Sequence, residues 1–142
     1  MVEQRKVILD SISKSQSTKH ITWICTDSQS SDLVGKSSPP DHLAAAQARE
    51  SRFLSIILTC ELEENIQRLV NPSRGGTING KITDISLLKM IREKFDIGRF
   101  GGEDETVIDT TGREAVEVAR EIAHFVKGRM EQPIVQEQSN RV

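Results

Sequence analysis

Tyrosine is absent from this chain, tryptophan occurs once, and only two cysteines stand among its 142 residues. Cys25 and Cys60 are too few and too far apart for a disulfide scaffold or a C-x-x-C redox site. They read as reduced, half-buried thiols at strand ends, which suits the cytoplasm. No apolar run approaches the roughly twenty residues of a membrane-spanning helix, and mean hydropathy is −0.39. The opening MVEQRKVILDSIS carries neither the apolar core nor the small-residue cleavage site of a signal peptide. Positive charge is not in excess: 19 Lys and Arg face 21 Asp and Glu, a formal net charge of −2. A protein that binds nucleic acid by neutralising phosphates is therefore not expected, nor is one that binds a membrane. His20, His42 and His124 are scattered without a carboxylate or thiol at ligand spacing, so no metal site is expected. No G-x-S-x-G elbow is present, which disfavours a self-contained hydrolase.

What the chain does have is a strong α/β signal at FLSIILTCELEENIQRLVNPSR, residues 53–74. The short apolar run Phe53–Leu58, rich in β-branched residues, predicts a buried strand. Glu61, Glu63 and Glu64 then suit the positive end of a helix dipole. Leu62, Ile66, Leu69 and Val70 recur at helical spacing over Glu61–Val70. Asn71-Pro72 ends that helix, because proline lacks the N–H donor and disfavours helical geometry before it. The pattern delivers Arg68 and Arg74 to a glycine-bearing loop that also carries Lys81.

Around this unit the chain predicts a helix over 3–14 and a second strand, His20–Asp27, in which Ile21, Trp23 and Cys25 alternate with Thr22, Ile24 and Thr26. Asp27 at its carboxyl end has two readings, a crevice carboxylate or a turn cap. Gly35-Lys36-Ser37 resembles the tail of a phosphate-binding loop, but Ser30 replaces the first glycine and Pro39-Pro40 prevents a helix from starting at the lysine. A helix follows over Asp41–Ser51, with Asp41 as its cap. Beyond the loop Gly75–Thr83, Asp84 caps a helix over Ile85–Phe95, whose Lys89, Arg92 and Lys94 read as a solvated face. Thr106–Asp109 is the third strand. Arg113–Lys127 is the last helix, stopped by Gly128. Residues 1–128 form one α/β domain, and the polar composition of 129–142 predicts a disordered tail. Strands alternating with helices imply a three-layer α/β fold with a mostly parallel sheet.

Four segments together, ITWICTDSQSSD, FLSIILTCELEENIQRLVNPSR, KITDISLLKMIREKF and VIDTTGREAVEVAREI, resemble the P-loop kinase superfamily of small nucleoside, nucleotide and related kinases. The likeness covers roughly residues 5–127 and is strongest to ATP-binding kinase-like proteins of that superfamily. It implies a P-loop NTPase-like fold with ATP and Mg2+ as cofactors and a small-molecule acceptor. It assigns Asp27 to the acceptor or the magnesium ion, and Arg68 and Arg74 to the lid cations, with Lys81 and Arg92 as further candidates. It places Thr110, Thr111 and Gly112 at the adenine base. Cations around a migrating phosphoryl group do most of the work in such transfers, and the planar fork of arginine suits them.

The likeness begins after the family's first strand and phosphate loop, which do not precede Met1. The expectation is an incomplete kinase-like chain that does not turn over ATP. The alternative is a non-catalytic α/β domain with a ligand crevice or an interaction role. Without the central strand, the strands at Ile21–Thr26 and Phe53–Leu58 would stand about 10 Å apart. The chain would then have to pair them directly, borrow a strand from another molecule or remain poorly folded alone, and exposed edges invite self-association.

Overall fold

The computed structural model describes residues 2–26, 38–72 and 83–133. Among them the chain is mixed α/β, with five helices and a two-stranded parallel sheet. The elements in order are α1 (Val2–Lys14), α2 (Ser38–Ala48), β1 (Ser55–Thr59), α3 (Leu62–Val70), α4 (Ile85–Lys94), β2 (Glu105–Asp109) and α5 (Ala115–Met130). β1 and β2 run parallel with Ser55 opposite Glu105 and Thr59 opposite Asp109. Parallel neighbours need a long crossover, and the segment carrying α3 and α4 supplies it. α1 packs on α2, and α3 on α4.

The expected strand His20–Asp27 does not form over its described part. Residues 20–26 make a turn and then run without a ladder, and Ile24 is 86% exposed. Alternation gives a segment the propensity to extend, but a strand exists only where a second backbone completes its hydrogen bonds. β1 pairs instead with β2. The start of this segment is tied to α1 by Arg49, a buried side chain that donates to the carbonyls of Ile12 at 2.8 Å, of Thr18, and of Ile21 at 3.4 Å.

α2 starts at Ser38, earlier than Asp41, and takes Pro39 and Pro40 into its first turn. The N–H groups missing there would have had no intrahelical partner. It ends at Ala48, short of the expected Ser51. The amide of Ser51 closes back on the carbonyl of Ala46 at 2.9 Å, with Glu50 in the left-handed region at φ 55°. α4 opens on the expected cap, with Asp84 Oδ1 accepting from the amide of Leu87 at 3.0 Å. α5 is not stopped by Gly128 but continues to Met130. In its last turn the carbonyl of Arg129 has a partner in Arg52, which also donates to the carbonyls of Gln132 and Pro133 just beyond the helix. A cation at a helix carboxyl terminus satisfies groups that would otherwise favour an earlier end.

Leu9, Ile57, Leu69, Ile108 and Val118 are the buried apolar side chains among the described residues. Four of them lie one each on β1, α3, β2 and α5. The amino end of the sheet is closed by charge: Arg129 Nε meets Asp104 at 2.7 Å beneath the Arg52 contacts. Phe53 and Phe100 meet there as a tilted ring pair, with centroids 4.7 Å apart and planes 50° from parallel. The carboxyl end is left to a different set of polar side chains.

Candidate functional site

Open parallel sheets bind ligands at the carboxyl ends of their strands, because the loops there diverge and leave a crevice. In this chain that end is formed by Thr59-Cys60 after β1 and Thr110-Thr111-Gly112 after β2. Thr110 is buried and adds one rung beyond the ladder, its amide and its hydroxyl both donating to the carbonyl of Thr59 at 2.9 and 2.8 Å.

Arg68, in the last turn of α3, reaches this rung. Its Nη1 donates to Thr110 Oγ1 at 2.9 Å and its Nη2 to the Thr110 carbonyl at 2.7 Å. The same Nη2 pairs with Glu64, one turn earlier on α3. The second oxygen of Glu64 accepts from the amide of Gly112 at 2.6 Å. Gly112 has φ +63°, a left-handed turn that suits glycine. Thr111 closes the loop from the other side. Its hydroxyl accepts from the amide of Glu61 at 2.9 Å, and its hydroxyl and amide donate to Asp109 at 2.6 and 2.9 Å. The hydrogen bonds from the Thr111 hydroxyl and amide hold the Asp109 carboxyl below its ordinary value. Some burial opposes them, and the charges of Arg113 and Arg68 add to them. Arg92 of α4 completes the rim, donating to the carbonyl of Cys60 at 3.1 Å and to Asn65 Oδ1 at 3.3 Å.

Arg68, Thr110, Thr111 and Gly112 therefore stand together in one hydrogen-bonded cluster. Asp27, Arg74 and Lys81 lie outside the described residues, as does the Gly35-Lys36-Ser37 tract. Among the described residues no three His, Cys, Asp or Glu side chains gather as metal ligands, and no helix is long and apolar enough to cross a membrane.

Sequence reasoning missed Glu64 and Asp109 as members of this cluster. Glu64 reads as a helix-dipole acid, yet its i,i+4 spacing to Arg68 signals the pair. Asp109 ends a parallel strand, the argument that singled out Asp27.

Compared with protein-family models, with curated proteins and with solved structures, the chain finds no match.

Proposed function

We propose that the chain is the carboxyl-proximal part of a P-loop kinase-like, ATP-binding α/β protein, one that binds a nucleotide but does not transfer its phosphoryl group alone. The direct parallel pairing of β1 with β2 carries this reading. Arg68 is hydrogen-bonded to Thr110 at the carboxyl ends of these strands, and such ends are where open parallel sheets take ligands. In this reading Arg68 and Arg74 are the lid cations, with Lys81 and Arg92 as further candidates, and Arg68 also braces the loop. Asp27 stays with the acceptor or its metal. Glu64 and Asp109 would not hold the magnesium ion of the family. It is held by one or two carboxylates and substrate phosphates, and both Glu64 and Asp109 are already engaged with amides, a hydroxyl or a guanidinium.

The test is calorimetric titration of ATP into the chain, with phosphate release followed in parallel. Binding is expected without turnover, weakened about tenfold or more in Arg68→Ala, since a charged hydrogen bond is worth about 1.5–3 kcal/mol. No binding at millimolar ATP would overturn the nucleotide reading. Magnesium-dependent hydrolysis would overturn the inactivity.

A second reading is a non-catalytic α/β ligand-binding or interaction module. The internal engagement of Arg68 with Glu64 and Thr110 favours it, because a cation so held is a brace. That reading expects Arg68→Ala to lower the melting temperature and to leave ATP binding unchanged or absent.

Self-association belongs to the same proposal. Parallel sheets are ordinarily covered on both faces, whereas Leu58 of β1 is 51% exposed and Val107 of β2 40%. Sedimentation at micromolar concentration is expected to show dimers or larger species. A single monomeric boundary would end this idea.

A further inference from the structure

We propose that the Arg68 guanidinium and the Gly112 amide form a subsite for an anionic oxygen group, phosphate or carboxylate, and that Glu64 is its built-in occupant. The inference rests on the reading above for the position of the crevice, not for the identity of a nucleotide. One oxygen of Glu64 takes the Arg68 Nη2 and the other takes the Gly112 amide. A planar fork facing a carboxylate and a backbone N–H on a left-handed turn are the two donor types from which proteins build anion sites. The neighbouring amide of Thr111 is likewise answered by a carboxylate, that of Asp109. Successive amides of this loop thus both end on anionic oxygen.

The place is reachable from solvent. The Glu64 side chain is 25% exposed and that of Arg68 38%. Arg68 has five N–H donors, of which three are used at Thr110 and Glu64. The two others, on Nε and Nη1, meet no acceptor among the described residues and stand ready for a ligand oxygen. A Cβ at Gly112 would touch nothing within 4 Å, so the Cα side of this turn is open.

A tethered carboxylate competes as if present at high local concentration. The apparent affinity of an incoming anion falls by the fraction of time that Glu64 leaves its seat. Removing the carboxylate should therefore uncover binding that the native chain masks. The experiment titrates inorganic phosphate, and separately acetate, into the native chain, Glu64→Ala and Glu64→Gln, with a thermal melt of each. Glu64→Ala is expected to bind one of the two anions at least tenfold more tightly than the native chain, and the anion preferred identifies the ligand class. Glu64→Gln, which keeps the shape and an oxygen for Gly112, should show a smaller gain and serves if the alanine variant does not fold. Adding Arg68→Ala to Glu64→Gln should abolish the gain. Affinities for both anions within twofold of native in both variants, or a gain that survives loss of Arg68, would overturn the proposal. No nucleotide enters this test, so failure of ATP to bind leaves it standing, and its own failure leaves the nucleotide reading standing.

Discussion

A chain carrying Ile108→Ala is expected to lose most of its folding stability and with it a sharp thermal transition. Ile108 is 1% exposed, in the carboxyl half of β2 and opposite Leu58 of β1. Cutting a buried isoleucine back to alanine costs about 2–5 kcal/mol, the transfer free energy of the lost carbons plus the cavity left behind. An ordinary domain holds only about 5–15 kcal/mol in total. The reserve here is thin, because few apolar side chains are buried among the described residues and none of the others is covered as fully. Circular dichroism melts of the native chain, Ile108→Val and Ile108→Ala check this. The valine variant should lose only about 0.5–1.5 kcal/mol. An alanine variant that melts within a degree or two of the native chain would show that β2 does not anchor the core.

The second expected effect is acid lability centred on Glu105. Its side chain is 2% exposed. It accepts from Arg99 Nε at 2.6 Å, from the amide of Phe100 at 2.6 Å and from Ser55 Oγ at 3.2 Å. Burial alone would raise its pKa, but the hydrogen bonds from Arg99, Phe100, Gly101 and Ser55 outweigh burial and hold it below its ordinary value. A carboxyl depressed in the folded state favours folding fully above its unfolded pKa, about 4.3. That contribution disappears as pH falls through the lower folded value, where the unfolded chain binds the proton first. Glu105→Gln should therefore flatten the fall in urea midpoint between about pH 5 and pH 3 and lower stability at pH 7 by about 1–3 kcal/mol. Most of that loss comes from the Phe100 amide and the Ser55 hydroxyl. The Arg99 partner is 60% exposed, and exposed pairs contribute little. Parallel acid limbs in variant and native chain would remove Glu105 from this role.

The helices were the most legible part of the fold. α1, α3 and α4 form within a residue or so of their expected bounds, because their periodicity, the Asp84 cap and the Asn71-Pro72 stop act within one or two turns. β2 was legible to one residue and β1 to two at its amino end. The end of α5 was not legible at Gly128. The residue that satisfies a carbonyl of its last turn, Arg52, is 77 residues away from Arg129 in the chain, and no local rule reaches that far. The crevice cluster shows the same division. The family resemblance pointed to Thr110, Thr111 and Gly112, and the helix pattern delivered Arg68 to a loop, but nothing local joined the two.

The chain's composition and periodicity by themselves determine that this is an α/β protein, where its described helices begin within a few residues, and that β1 feeds an acid-started helix bearing Arg68. Only the tertiary structure decided that β1 pairs with β2 and not with residues 20–26, and that Arg68 and the Thr110–Gly112 loop share one hydrogen-bonded cluster through Glu64. The reason is range. Helix hydrogen bonds close between residues four apart and are written in the local pattern, whereas a parallel ladder joins backbones some fifty residues apart, such as Ser55 with Glu105, and every apolar strand offers it much the same edge.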